Sequence, residues 1–192
     1  MSAHDRARWD TIYRDKTEAS FPDPDPLLFQ FAPPLREPAS ACALDLASGV
    51  GQNGLWLAAQ GYTVDLVDVS RVALTRARAE ASRRNLRSVN FLQLDLDDTG
   101  LEPESYDLIC VFRFLSRVLI PPIRAAIRPG GRILYQTFNG RYRAFKPDVN
   151  RDYLLGIGEL AGFFGDWKIL RIHEPEHISQ IVAIKPEPRS ED

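Results

Sequence analysis

One stretch constrains the fold of this chain more than any other: residues 43–54 have the sequence Ala-Leu-Asp-Leu-Ala-Ser-Gly-Val-Gly-Gln-Asn-Gly. A short apolar run ends in an acidic residue and closely spaced glycines, and an apolar helical pattern follows at residues 55–59. This order predicts a β-strand, a tight turn and the start of a helix. Glycines at such a turn let backbone N–H groups approach a ligand that a Cβ would exclude. The stretch therefore predicts a ligand-binding loop.

Apolar runs that predict strands alternate with helical patterns along the rest of the chain. The predicted strands cover residues 41–47, 62–67, 89–94, 106–112, 132–138, 167–173 and 178–185, and one helix is predicted for residues 151–164. Too few residues join the last two strands for a crossover, so this pair is predicted to be antiparallel. We predict an α/β fold: a Rossmann-like, doubly wound, mostly parallel sheet with an antiparallel C-terminal strand pair and a short N-terminal helical extension.

The predicted domain organisation follows from length and from local composition. The 192 residues are enough for one domain with a sizeable core. We expect an N-terminal helical cap or lid at residues 1–40, a ligand-binding domain at residues 41–185 and a frayed tail at residues 186–192. Ligands of such sheets bind outside the carboxyl ends of the strands.

Composition excludes several classes of function. The formal net charge of −2 shows no basic excess, so no nucleic-acid partner is expected. No stretch approaches the roughly 20 apolar residues that span a bilayer, and the polar first ten residues do not match a signal peptide. Cys42 and Cys110 are too few for a disulfide framework and lack metal-ligand spacing. These features predict a cytoplasmic location, no membrane partner and no metal.

Three carboxylates at predicted strand ends distinguish between ligands. Asp45 precedes the glycines, where its charge would repel a pyrophosphate and attract an ammonium or sulfonium group. Asp68 ends the next strand, where a carboxylate can accept hydrogen bonds from two ribose hydroxyls. Asp95 can accept from an adenine amine while the N–H of Leu96 reaches a ring nitrogen. A cation, a ribose and an adenine together describe S-adenosylmethionine better than a nicotinamide dinucleotide.

Motifs in four segments resemble, in the same order, those of the class I S-adenosylmethionine-dependent methyltransferases: residues 45–51, 68, 106–109 and 128–134. The segments Arg-Trp-Asp-x-x-Tyr at residues 8–13 and Pro-Asp-Pro-Leu at residues 24–27 resemble the tellurite-resistance (TehB-like) and thiopurine methyltransferase-like branch. That branch often has arginine where this chain has Gln52, and a His-Arg pair where this chain has His177 followed by Ile178. These departures leave the acceptor unassigned.

The resemblance implies S-adenosylmethionine as cofactor and a set of cofactor-binding residues, with a backbone carbonyl of Phe112 or Arg113 accepting from the methionine ammonium. The set is Trp9, Asp45, Ala47, Gly49, Gly51, Asn53, Asp68, Val69, Asp95, Leu96, Phe112 and Arg113.

No catalytic residue is assigned by a motif; the candidates are Tyr13, Arg113 and His177. Trp9 and Tyr13 either close over the cofactor as an apolar lid or only pack the N-terminal helix. Arg113 and Arg117 either face an anionic acceptor or are solvated, and His177 is either a base or a solvated loop residue. The irregular stretch that follows the fifth strand and contains residues 142–145 is predicted to form an acceptor wall.

The predicted function is methyl transfer from S-adenosylmethionine to a small-molecule acceptor such as a thiol, a chalcogen oxyanion or a small acid. Two alternatives remain: an NAD(P)-binding oxidoreductase, since Gly-x-Gly-x-x-Gly at residues 49–54 also matches the dinucleotide fingerprint, and a non-catalytic S-adenosylmethionine sensor. An RNA or protein methyltransferase is disfavoured because the chain has no basic patch. The sequence does not indicate an oligomeric state.

Overall fold

The computed structural model describes residues 3–15, 20–35, 41–96 and 100–188. The chain divides into two compact units, Met1–Gly100 and Leu101–Asp192. The predicted cap boundary at residue 40 and the end of the predicted tail, residues 189–192, lie outside the described residues.

The described residues of the first unit form four helices and three parallel strands in the order β3-β2-β1. Its elements are α1 (Ala3–Asp15), α2 (Pro26–Phe31), β1 (Cys42–Leu46), α3 (Gln52–Ala59), β2 (Thr63–Asp68), α4 (Arg71–Arg83) and β3 (Val89–Gln93). Four of the five residues of β1 are buried, as expected for a parallel strand that is covered on both faces. The parallel register aligns the carboxyl ends of β1 and β2, where the glycine loop begins.

Side-chain caps determine where two of these helices begin. The Oδ1 atom of Asp25 accepts a hydrogen bond from the N–H of Leu27 at 2.9 Å, and α2 begins at Pro26. The Oγ atom of Ser70 accepts from the N–H of Ala73 at 3.2 Å, and α4 begins at Arg71.

The second unit contains strands in the order β4-β5-β7-β6. Its elements are β4 (Tyr106–Phe112), α5 (Ile120–Ala126), β5 (Ile127–Phe138), α6 (Glu159–Phe164), β6 (Lys168–His173) and β7 (Ile178–Ile184), with 3-10 turns at Arg117–Leu119, Gly140–Ala144 and Arg151–Tyr153. Strand β5 is parallel to β4, whereas β7 is antiparallel to both β5 and β6. The predicted mostly parallel strands with an antiparallel C-terminal pair are confirmed within these units.

Two predicted elements of this unit were wrong. The helix predicted for residues 151–164 is a 3-10 turn followed by the shorter α6, because Gly158 adopts a φ of 79° at the position that caps α6. The strand predicted to begin at residue 132 begins at Ile127 and runs through the Pro-Gly-Gly segment. A register shift between Tyr106 and Leu108 and a φ of 75° at Gly130 absorb the irregularity as a bulge.

Within the described ranges, no helix combines the length and apolarity that a membrane span requires.

Candidate functional site

The glycine loop after β1 has an unusual backbone. Ala47, Gly49 and Gly51 have positive φ values of 55°, 58° and 79°. The N–H of Ser48 donates to the carbonyl of Val67 at 2.9 Å, which fixes the loop against β2. A left-handed conformation is strained for an L-residue such as alanine, and strain of this kind often occurs at ligand sites.

Asp68 ties this loop to the end of β2. Its Oδ2 atom accepts the N–H of Gly49 at 2.7 Å, and its Oδ1 atom accepts the N–H of Ser70 at 2.8 Å. The residue is 7% exposed, and burial raises the pKa of its carboxyl although the two N–H groups act in the opposite direction. A carboxylate has about four lone-pair positions, so hydrogen-bonding capacity remains for a ligand.

Asp45 also has a partner inside the chain. It is 1% exposed, and its Oδ2 atom accepts the N–H of Gly54, in the first turn of α3, at 2.8 Å. A Cβ on Gly54 would lie 2.1 Å from Leu66 Cδ2, so no side chain fits there. The sequence analysis assigned Asp45 to a ligand cation and missed this contact with Gly54. The sequence feature that could have indicated this contact is the spacing of nine residues between Asp45, near the end of β1, and Gly54, near the start of α3.

Helix α1 lies over the glycine loop. A Cβ on Gly49 would lie 2.5 Å from the hydroxyl of Tyr13, and the rings of Trp9 and Tyr13 are 6.0 Å apart. The Oδ1 atom of Asp10 accepts from Ser70 Oγ at 2.6 Å and from the N–H of Val72 at 3.2 Å. None of residues 5–15 is fully buried, and the polar contacts of Asp10 help to hold the helix over the loop. The sequence analysis missed Asp10, and a lid role for Trp9 and Tyr13 remains a prediction.

Several other predicted cofactor residues of the first unit have internal contacts. Asn53 is 3% exposed, and its Oδ1 atom accepts the N–H of Asp25 at 2.8 Å. Val69 and Leu96 are each 2% exposed, and the carbonyl of Val69 accepts from Gln93 Nε2 at 3.2 Å. Asp95 is half-buried.

One observation on the glycine loop fits a bound ligand. The Oγ atom of Ser48 is buried and has no hydrogen-bond partner among the described residues. A buried donor without a partner matches the needs of a polar amino-acid group such as the methionine part of S-adenosylmethionine. Beside this donor, the hydroxyl of Tyr13 lies so close to Gly49 that no Cβ fits between them.

In the second unit, the end of β4 carries Phe112 and Arg113. Arg113 has a φ of 58° and an exposed side chain, and its N–H donates to the carbonyl of Gln136 at 2.8 Å. Arg117 is bound elsewhere: Nε and Nη2 contact Glu159 at 2.5 and 2.9 Å. Its other contacts are the carbonyls of residues 152 and 154. Arg117 therefore anchors the segment before α6, and its predicted role toward an anionic acceptor is not supported.

Four rings form an aromatic cluster at the carboxyl end of β5: Phe138, Tyr142, Phe145 and His177. Phe138 stacks on Tyr142 with centroids 4.1 Å apart, and Phe145 lies 4.7 Å from His177. Phe145 is 67% exposed, so the cluster reaches the surface. The sequence analysis predicted a wall here but did not predict that His177 joins it.

His177 has a free buried nitrogen. Its Nδ1 atom is buried and has no hydrogen-bond partner in the described ranges; Glu176 Oε2, at 3.8 Å, is beyond hydrogen-bonding distance. The fully buried Asn139 fixes this loop, because its backbone N–H donates to the carbonyl of His177 at 3.0 Å and its Nδ2 atom contacts Ser179 Oγ at 3.3 Å. The described residues contain no cluster of three side chains that could hold a metal ion.

Comparisons with known proteins are consistent with this geometry. Residues 43–134 match the model of a family described as a methyltransferase domain. The N-terminal Xaa-Pro-Lys N-methyltransferase 1 of Danio rerio is 30% identical over 160 residues, which cover 76% of this chain and 71% of that protein. The ubiquinone biosynthesis O-methyltransferase of Coxiella burnetii is 27% identical over 107 residues, which cover 53% of this chain and 45% of the relative.

A solved structure shows the same fold. TehB from Haemophilus influenzae superposes with a TM-score of 0.72 at 18% identity, covering 93% of this chain and 67% of that one. The predicted α/β fold is thereby confirmed. Taken with the family match and the zebrafish relative, these findings show that the chain belongs to the class I S-adenosylmethionine-dependent methyltransferases.

Proposed function

We propose that this enzyme methylates a small, planar molecule that carries an acidic O–H or S–H group and binds at the aromatic cluster. The observation that carries the proposal is the buried Nδ1 atom of His177, which lacks a partner among the described residues and belongs to a cluster with three other aromatic rings. Aromatic rings bind planar groups by stacking, and an unpartnered imidazole nitrogen can accept a proton.

S-adenosylmethionine, when bound, supplies a methyl group on a sulfonium that is open to nucleophilic attack. The groups that would hold it belong to the glycine loop and to the end of β2: the Ser48 hydroxyl as a donor and the remaining lone pairs of Asp68 for ribose hydroxyls. Tyr13, which lies against Gly49, would exclude water from the loop.

His177 would then act on the acceptor. Its Nδ1 atom would take the proton of the acceptor as the nucleophile forms, which is general-base catalysis. The exposed ring of Phe145 would hold the acceptor plane, and Asn139 would keep the imidazole in place through the backbone of its loop. Phenols and weakly acidic thiols suit this arrangement best, since they must lose a proton to become nucleophiles, whereas a small acid or a chalcogen oxyanion is already ionised.

A second candidate acceptor is the N-terminal amine of a peptide, since the zebrafish relative is named for N-methylation of an N-terminal Xaa-Pro-Lys sequence. The Coxiella burnetii relative is named as an O-methyltransferase of ubiquinone biosynthesis, and this name favours a small-molecule acceptor over a peptide. An incubation with labelled S-adenosylmethionine separates these acceptors. The compounds offered, one at a time, are thiophenol, a phenol, benzoate, selenite, tellurite and a Xaa-Pro-Lys peptide. We expect label in the aromatic thiol or phenol; transfer only to the peptide would contradict the proposal.

His177→Phe tests the base. This variant keeps an aromatic ring in the cluster but removes the proton acceptor, so the transfer rate should fall by roughly 10²–10⁴. The affinity for S-adenosylhomocysteine, measured by calorimetry, should stay within about twofold, because the change leaves the glycine loop intact. His173→Phe, at an exposed position of β6, is the matched control and should retain the rate. An unchanged rate in His177→Phe would exclude His177 as the base.

A further inference from the structure

The turn between β6 and β7, residues 174–177, carries His177 and is held along its whole length. Each of its four backbone carbonyls accepts a hydrogen bond from within the chain. The donors are Arg141 Nη1 for residues 174 and 176, the N–H of Ile178 for residue 175 and the N–H of Asn139 for residue 177. A turn with these internal partners has less freedom to move than one whose carbonyls are solvated.

The backbone next to His177 is also strained. Glu176 has a φ of 45°, which lies in the left-handed region. That conformation is unfavourable for a glutamate, and it persists only where the surrounding structure determines the backbone. The position of His177 is therefore set by contacts from outside the turn.

The carboxylate of Glu174 makes a further connection to this turn. Its Oε1 atom accepts from Ser179 Oγ at 2.8 Å, and both of its oxygens accept the N–H of Gly158, at 3.0 and 3.1 Å. Ser179 is fully buried, and its Oγ atom accepts from Asn139 Nδ2 at 3.3 Å. A chain of hydrogen bonds therefore runs from Gly158 to Asn139, whose backbone N–H holds the carbonyl of His177.

Carboxylates of surface turns are ordinarily solvated, and Glu176 is of this kind, with a side chain that is 81% exposed. Glu174 differs from it, because it is half-buried and its oxygens bind partners from two other parts of the unit. One of these partners is Gly158, the residue that caps α6. Hydrogen bonds to a charged acceptor are about twice as strong as neutral ones. Glu174 therefore ties the turn firmly to the start of α6.

The aromatic cluster by itself does not fix the imidazole closely enough for proton transfer. Ring pairs are favourable over centroid distances of about 4.5–7 Å, whereas a general base must lie within roughly 2.6–3.2 Å of the proton donor. The rings of Tyr142 and Phe145 lie 5.5 and 4.7 Å from that of His177, within the broad range. A closer constraint has to come from the backbone of the turn.

We propose that Glu174 is a positioning residue for His177. Its carboxylate holds the turn against α6 and β7, so that Nδ1 of the imidazole stays within reach of the acceptor's proton. This inference rests on the proposed function, in which His177 is the base. Glu174 itself touches neither the acceptor nor the cofactor in this role.

The kinetics of methyl transfer to phenol test the role. Glu174→Ala removes the hydrogen bonds of the carboxylate, so kcat should fall by roughly 10–100-fold, as expected for a misplacement of about 1 Å. The KM for S-adenosylmethionine should stay within about twofold, since the glycine loop is unchanged. An unchanged kcat in Glu174→Ala would overturn the proposal.

Two matched variants accompany this measurement. The amide oxygen of Glu174→Gln can still accept from Ser179 Oγ and from the N–H of Gly158, so its kcat should stay within about threefold of the wild type. Glu102→Ala removes an exposed carboxylate elsewhere in the second unit and should retain the wild-type kcat. An equal loss of kcat in Glu174→Ala and Glu174→Gln would contradict positioning by these hydrogen bonds.

NMR relaxation of the His177 imidazole tests the positioning without any methyl transfer. The protein is measured without S-adenosylmethionine or acceptor, and the signal is assigned by its loss in His177→Phe. Glu174→Ala should increase the motion of the ring, whereas Glu174→Gln and Glu102→Ala should not. Equal ring motion in the wild type and Glu174→Ala would overturn the inference. Failure of the proposed function is seen separately, as an unchanged transfer rate in His177→Phe.

Discussion

Replacing Asp68 with asparagine tests whether one carboxylate holds the glycine loop to β2. In the native structure its two oxygens accept the N–H groups of Gly49 and Ser70 at 2.7 and 2.8 Å, and the side chain is buried. Asparagine keeps one acceptor oxygen and presents an NH₂ group to the other N–H. One of the two hydrogen bonds is therefore lost, because the NH₂ group of asparagine faces a backbone N–H, which is also a donor. The other hydrogen bond remains, but its acceptor is a neutral amide oxygen instead of a carboxylate.

The magnitude follows from these two bonds. A hydrogen bond to a charged acceptor contributes about 1.5–3 kcal/mol, so the asparagine variant forgoes roughly 2–4 kcal/mol. Burial raises the pKa of Asp68, which means that the ionised carboxylate carries a desolvation cost that asparagine does not, so the net loss is about 2 kcal/mol. For a domain of this size that corresponds to a decrease in Tm of about 4–8 °C.

Urea unfolding followed by circular dichroism measures this loss. Asp65→Asn is the matched control on the same strand: Asp65 accepts from the side chain of Asn90 at an exposed position, so its change should stay within about 0.5 kcal/mol.

The pH dependence has a definite sign. Because the folded-state pKa of Asp68 is raised, its contribution is fully present below its ordinary pKa of 3.8 and is lost as the pH rises through the raised value. The difference in the free energy of unfolding between the wild type and Asp68→Asn should therefore increase as the pH falls. Equal stability of the Asp68→Asn and Asp65→Asn variants would refute the anchoring role.

Three further changes have defined outcomes. Ala47→Gly should raise the free energy of unfolding by about 0.5–1 kcal/mol, since relief of a left-handed alanine outweighs the added freedom of the unfolded chain; a loss in urea unfolding would contradict this. Glu80→Gln should lower the free energy of unfolding by about 1–2 kcal/mol at pH 7, because hydrogen bonds from Arg83 and Arg84 lower the pKa of Glu80 to about 2. That cost should disappear as the pH falls from 4.5 towards 2, and a cost independent of pH would count against the ion pairs. Arg117→Ala should speed hydrogen exchange in residues 152–159, which it anchors, and unchanged exchange there would show that other contacts suffice.

The sequence predicted the order of elements well because that order depends on local patterns. The apolar runs of β1, β2 and β3 and the glycine turn act over a few residues, and each was found in the expected place. The contacts of Asp45 with Gly54 and of Asp68 with Gly49 were not predictable in this way. They are made with backbone N–H groups 9 and 19 residues away, and the positions of those groups depend on the path of the glycine loop in three dimensions. The break in the helix predicted for residues 151–164 is similar, because Glu159 at the start of α6 is held by Arg117, 42 residues earlier.

The same two carboxylates explain why a loop with the dinucleotide spacing belongs to a methyltransferase. A pyrophosphate on such a loop needs free backbone N–H groups and the positive end of the following helix. Here the N–H of Gly54, in the first turn of α3, donates to Asp45, and the N–H of Gly49 donates to Asp68. These two donors are therefore engaged by anions of the protein itself, and the two buried carboxylates favour a cation over a pyrophosphate. This argument requires that NADH shows no measurable heat of binding while S-adenosylhomocysteine does. It further requires that Asp45→Asn weakens S-adenosylhomocysteine without creating a site for NADH, since the amide oxygen would still accept the N–H of Gly54.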